Sequence, residues 1–193
     1  MNDDPAGEAQ WNDEPARVIV MGPGDGPTVG NPAGGGLTYK ARSGHTGGAL
    51  TVWESTAAPG EGPPLHLHIN EDEFMYVLEG RLRFRLDETE HSGPGGSSVF
   101  IPKGVPHTWQ NAGDGHARIL FVFTPASPGM ERFFERSAEL PQETRMAEAF
   151  KTLASDAGME VLGPPLEARE PEVKSPSRRS LPLVSTERRG SVT

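Results

Sequence analysis

The stretch GEGPPLHLHINEDEFMYVLEG, residues 60–80, decides the fold. Two short apolar runs, Leu65–His68 and Phe74–Glu79, flank an acidic turn, Asn70-Glu71-Asp72-Glu73, and Gly80 closes the second run. Runs of this length bounded by Gly, Pro and Asn read as strands, not helices. On a strand, side chains two apart share a face about 7 Å apart, so His66 and His68 present both imidazoles on one side. A His-X-His alone is equally what two alternating surface or core histidines produce. The acidic turn adds a carboxylate at the start of the adjacent strand, within reach of the same point.

Outward from this stretch the pattern stays β. The runs Leu37–Ala41, Ala49–Thr56, Arg81–Leu86, Ser98–Ile101, His107–Asn111 and Ala117–Thr124 are separated by turn residues, as in a pair of packed sheets or a small barrel. Alternation is clearest in Arg81-Leu82-Arg83-Phe84-Arg85-Leu86, where three arginines are expected to face water and three apolar side chains to face inward. After Thr124 the period changes. Ser127 suits a helix cap and Pro128 a first helical position, and Met130, Phe133, Phe134 and Ala138 share a face. A second helix fits 142–157, with Met146, Ala149, Phe150 and Leu153 in its stripe. Both stripes read as packing surface, and the two helices as an appendage to the barrel.

Composition sets the outer bounds. The chain of 193 residues suits one domain of ordinary size. Gly (24) and Pro (19) make up more than a fifth of it, which disfavours a helical bundle or coiled coil. A net charge of −9 argues against binding nucleic acid through its phosphates. With no cysteine, a metal must be held by nitrogen and oxygen. The polar, acidic start and the lack of a long apolar stretch give no signal peptide and no membrane span, so the expected location is cytoplasmic. The expected organisation is a disordered acidic segment 1–16, a β-barrel 17–125, C-terminal helices 126–163 and a disordered tail 164–193.

A second stretch, GSSVFIPKGVPHTWQN at 96–111, places His107 after the rigid turn Pro102-Lys103-Gly104-Val105-Pro106. Three imidazoles and a carboxylate without thiolate suit a divalent transition ion: Fe, Mn, Co, Ni, Cu or Zn. His45, His91 and His116 sit in polar or Gly-rich turns and read as solvated. His45 is the exception to watch, because its loop precedes the histidine-bearing strands.

The two stretches resemble the two motifs of the cupin superfamily position by position: Gly60-x5-His66-x-His68-x4-Glu73-x6-Gly80 and Gly96-x5-Pro102-x-Gly104-x2-His107-x3-Asn111. The resemblance implies an all-β fold, a single cupin jelly-roll β-barrel, with His66, His68, Glu73 and His107 as metal ligands. Gly80 and Gly104 then shape turns, and Asn111 makes a turn or strand-end hydrogen bond. If Glu73 and His107 point inward, Met75, Val77, Phe84, Trp109 and Phe121 are expected either to line a pocket or simply to fill a small barrel. The apolar, aromatic character of such a pocket suits a flat phenolic or enolic molecule. Tyr76-Val77-Leu78-Glu79-Gly80 and Met130-Glu131-Arg132-Phe133-Phe134 are similar to the bacterial single-domain cupins called quercetin-dioxygenase-like. That similarity implies a mononuclear dioxygenase that takes dioxygen and a flavonol-like or other enolic substrate, with Glu73 also acting as base. The other functions the resemblance allows are a non-catalytic metal or small-molecule binder, an isomerase and a decarboxylase. It also implies a homodimer, with Arg17–Met21 adding a strand to a partner's sheet edge.

Overall fold

A computed structural model describes residues 15–31, 35–138 and 148–167. Eleven strands among these form two antiparallel sheets. In chain order the strands are β1 (Thr28–Gly30), β2 (Gly36–Ala41), β3 (Thr51–Ala57), β4 (Pro64–His68), β5 (Asp72–Glu79), β6 (Arg81–Leu86), β7 (Thr89–Pro94), β8 (Ser98–Ile101), β9 (His107–Asn111), β10 (Ala117–Thr124) and β11 (Met159–Pro165). One sheet runs β1-β2-β3-β10-β5-β8 and the other β11-β4-β9-β6-β7. Consecutive strands from β3 on pass repeatedly between the sheets, the winding of a jelly roll. Three helices complete the described chain: α1 (Ser43–Thr46), α2 (Pro128–Ala138) and α3 (Glu148–Asp156).

Strand parity builds the core. Along β3, β4, β5 and β10 every second residue is buried. These inward rows from both sheets meet in one cluster with Leu37, Tyr39, Trp53, Met75, Val77, Leu82, Phe84, Ile119 and Phe123. In the first sheet, Phe121 stands beside Trp53 on β3 and Met75 on β5. Trp53 and Phe123 stack at 4.5 Å between ring centroids. Gly80, with φ +87°, turns the chain between β5 and β6, and a Cβ there would lie 2.9 Å from the Cα of Ala117. Asn111 donates through Nδ2 to the carbonyls of Ala57 and Gly115, while its Oδ1 accepts from Gly113 N. These bonds close the turn after β9.

Several elements depart from the sequence reading. β1, β7 and β11 were not expected: β7 is exposed at all but one position, so it has no inward row to alternate, and β11 carries Gly163, Pro164 and Pro165. β11 runs through part of the segments assigned to helices and tail, and pairs with β4. Of the expected tail, 168–193 lie outside the described residues, as do 1–14 of the N-terminal segment. So do 142–147 of the second helix, with Met146. Arg17–Met21 forms no strand within the chain, leaving Val18 and Val20 almost fully exposed. Arg83 is buried, not solvated: its Nη2 donates to Gln110 Oε1 and to the carbonyl of Glu167, which cross the outer face of β6 and β9. His45 accepts from Arg42 N through Nδ1 within α1.

α2 is tied to the barrel by a buried carboxylate. Glu131 lies on the helix face that also carries Met130 and Phe134, and is 4% exposed. It accepts hydrogen bonds from Ser43 N (2.7 Å), Thr51 Oγ1 (2.9 Å), Arg42 Nε (3.0 Å) and Ser43 Oγ (3.2 Å). The buried donors Ser43 N, Ser43 Oγ and Thr51 Oγ1 would lose this acceptor without it, while Arg42 keeps its pair with Glu135. Replacing Glu131 with Ala is expected to lower unfolding stability by about 3 kcal/mol, measured by urea denaturation. A loss under about 1 kcal/mol would show that water replaces the carboxylate without difficulty.

Candidate metal centre and cavity

His66 and His68 lie on β4 and both point inward. His66 stands directly opposite His107 of the neighbouring strand β9. Glu73 comes from the other sheet, on β5 beside Phe123 of β10. One donor atom from each of His66, His68, Glu73 and His107 falls within 4.8 Å of the rest, and all four residues are buried. The cluster therefore joins the two sheets across the interior. The turn that delivers His107 is fixed to the other histidine strand, since Gly104, at φ +80°, donates through N to the carbonyl of His68 at 2.7 Å.

Two imidazoles have a fixed orientation. His66 Nδ1 is 2.8 Å from the carbonyl of Pro64, and His107 Nδ1 is 2.9 Å from that of Val105. A carbonyl only accepts, so each Nδ1 carries the proton. Glu73 Oε2 lies 2.9 Å from His107 Nε2 and 3.3 Å from His68 Nε2. Burial alone pushes the Glu73 carboxyl up. The charge of His107 and hydrogen bonds from His107 and His68 outweigh that and hold it far below the usual carboxylate range. Burial likewise pushes His66 down, joined by the charges of His107 and His68. Burial also acts downward on His107, but the Glu73 carboxylate outweighs it and raises the imidazole. An ionised carboxylate among three nitrogen donors, with no sulfur, is a donor set that fits a divalent transition ion.

His66, His68 and Glu73 of the cluster line a cavity of about 160 Å³. Trp53, Trp109, Phe121 and Phe123 line it from the strands. Of the five side chains the sequence reading assigns to a pocket, Trp109 and Phe121 are on this wall. Met75, Val77 and Phe84 are not: they point inward but are sealed in the packed core, each at most 2% exposed. In their place stand side chains from the end of the chain: Met130, Phe133 and Phe134 of α2, Phe150 of α3 and Met159 of β11. The helices appended to the barrel thus also roof this cavity. Their aromatic stripe was legible, but its target was not, because a stripe that packs on a cavity has the same period as one that packs on a core.

Residues 53–123, which carry all four donors and the strand-derived aromatic wall, match the cupin domain family. The barrel belongs to the cupin superfamily. An RmlC-like cupin from Shewanella frigidimarina NCIMB 400 shares the fold, with a TM-score of 0.51 and 17% identity over 60% of this chain and 96% of that one. Among curated cupin relatives, Protein SchB of Streptomyces halstedii is 36% identical over 92 residues, 48% of this chain and 65% of that protein. The polyketide synthase CurC of Streptomyces cyaneus is 35% identical over 92 residues, 48% of this chain and 56% of that protein. The tetracenomycin polyketide synthase protein TcmJ of Streptomyces glaucescens is 32% identical over 74 residues, 38% of this chain and 50% of that protein. The cupin chain therefore spans only half to about two thirds of the length of these relatives. No helix among its described residues is long and apolar enough to cross a membrane.

The same charges give the metal-free cupin a stability profile with a defined sign. His66, depressed from 6.5, favours folding above that pH, and the gain is lost as pH falls below it. Glu73, depressed from 4.5, adds a second loss below that value. His107, raised from 6.5, contributes fully below 6.5 and loses its contribution as pH rises through its folded value. The urea midpoint of metal-free protein is therefore expected to peak near pH 6.5 and to fall most steeply below 4.5. A midpoint rising steadily from pH 6.5 to 4 would contradict the arrangement.

Proposed function

We propose that this cupin is a metal-dependent enzyme acting on a small enolic or phenolic compound of about one ring. The observation that carries this is a cluster of three histidines and an ionised carboxylate whose His66, His68 and Glu73 line a short aromatic cavity. Its volume, about 160 Å³, is close to that of a cavity that holds benzene, roughly 150 Å³. It is below the roughly 300–1,000 Å³ of pockets for drug-sized ligands. A fused flavonol of the kind the family resemblance suggests is a poor match for this volume.

His66, His68, Glu73 and His107 would hold the ion. A bound divalent ion supplies Lewis acidity and a template for an oxygen of the substrate. The chain's own groups do the rest. Glu73 is ionised and placed to accept the proton of a substrate hydroxyl or of a carbon between two carbonyls, whose acidity a bound ion would raise. Trp109, Phe121 and Phe133 hold a flat ring in place and exclude water from it. The polyketide synthase names of two relatives favour a substrate with such enolisable carbonyls. The dioxygenase reading and a non-oxidative reaction, an isomerisation or ring closure, share this first proton transfer and differ in whether dioxygen is consumed.

Protein loaded in turn with Fe, Mn, Co, Ni, Cu and Zn, tested against catechols and cyclic 1,3-diketones, separates these readings. Metal-dependent oxygen uptake supports the dioxygenase. Exchange of the acidic substrate hydrogen for deuterium without oxygen uptake supports the non-oxidative enzyme. Either rate is expected to fall about 10²–10⁴-fold in Glu73→Gln. Tight ligand binding with neither reaction in any metal form would replace the enzyme reading with a binding protein.

We also propose that the chain pairs through its exposed segment at Val18 and Val20, two apart and both bare. Light scattering is expected to give twice the 20.7 kDa chain mass, and the monomer mass in Val18→Asp with Val20→Asp.

A further inference from the structure

The three histidines of the cluster are not held alike. His66 and His107 each give their Nδ1 proton to a backbone carbonyl two residues earlier in the chain. His68 does not. Its Nδ1 is buried and has no hydrogen-bond partner among the described residues. Buried nitrogen in that condition is rare, because the lost hydrogen bond to water is not replaced.

A second buried polar atom in the same condition lies three residues further along the chain. Glu71 is 4% exposed. Its Oε1 accepts from Ser127 Oγ at 2.7 Å, while its Oε2 has no partner among the described residues. Burial pushes the Glu71 carboxyl up, and the hydrogen bond from Ser127 and the proximity of His68 act the other way. The turn between β4 and β5 thus carries one stranded donor and one stranded acceptor, each offering what the other lacks. Glu71 also borders a hollow shared with Asn70, Ala126, Gly129 and Ala157, which has room for ordered water beside the carboxylate.

We propose that Glu71 is the positioning residue of His68: its Oε2 accepts the Nδ1 proton, through one ordered water or a small rotation of the carboxylate. This holds a proton on Nδ1 and keeps Nε2 aimed at the cluster, where a bound ion would take the place of the proton that Nε2 gives to Glu73. A carboxylate also makes the imidazole a stronger electron donor than a backbone carbonyl does. The effect on ion affinity rests on the metal-centre reading; the hydrogen bond itself does not.

The experiment uses full-length protein labelled with ¹⁵N-histidine, metal-free and titrated with Zn²⁺, which is diamagnetic. In wild type, three slowly exchanging Nδ1–H signals are expected. Glu71→Ala is expected to leave two, with Zn²⁺ affinity lowered about 10–100-fold. Glu71→Gln, whose amide oxygen still accepts, is expected to restore the third signal and part of the affinity. Ser127→Ala, which removes the other partner of Glu71 together with the acceptor for Met130 N, is expected to keep all three. Three signals and unchanged Zn²⁺ affinity in Glu71→Ala would overturn the proposal, as would two signals in wild type. If Glu71→Ala does not fold, the wild-type count and the Gln variant decide it. A wild type that shows three signals but binds no Zn²⁺ would refute the metal reading and leave the hydrogen bond standing.

Discussion

The structure depends on one buried ionised carboxylate. Glu73 is held at the centre of a protein interior, where an uncompensated charge is costly, and its compensation comes from the opposite sheet. His68 and His107 both bring an Nε2 within 3.3 Å of Glu73 Oε2. Satisfying that charge requires β4 and β9 to pair so that His66 meets His107, and β5 to enter the other sheet with Glu73 inward. A shift of either strand by one residue would turn the donors out of the interior. Pairing register and electrostatics therefore specify the same arrangement.

The strands around the cluster were legible because turn residues bound each short apolar or alternating run. Arg81–Leu86, Ser98–Ile101, His107–Asn111 and Ala117–Thr124 match the observed strands residue for residue. What was hidden follows from layers that a single strand cannot announce. β9 is buried at all five positions, since Thr108 is covered by the loop at Pro63 and Gln110 bonds to the carbonyls of Gly60 and Leu166. Arg83 looks like a surface arginine in its own strand, and is buried only because a segment more than 80 residues away crosses it.

At the site the asymmetry is similar. The four clustered residues stand in two short motifs, and the resemblance of both motifs to the cupin pattern brought them into view together. The cavity ceiling was out of reach because its residues come from helices whose approach to the barrel is set by Glu131. That carboxylate sits in a stripe otherwise read as apolar, and its partners Ser43 and Thr51 lie some 80 residues earlier. Glu71 was likewise one of three adjacent acids, and only burial distinguishes it from Asp72, whose carboxylate turns outward to Lys103 N.

The division between floor and ceiling has a further consequence. Every clustered donor lies between His66 and His107, while the side chains that close the cavity from above lie between Met130 and Met159. The two sets share no strand. Exchange of a bulky ceiling residue for a small one would change the shape of molecule admitted without displacing a donor atom. The reactive end can thus stay constant while the substrate range drifts, which separates the evolution of chemistry from the evolution of selectivity along the chain.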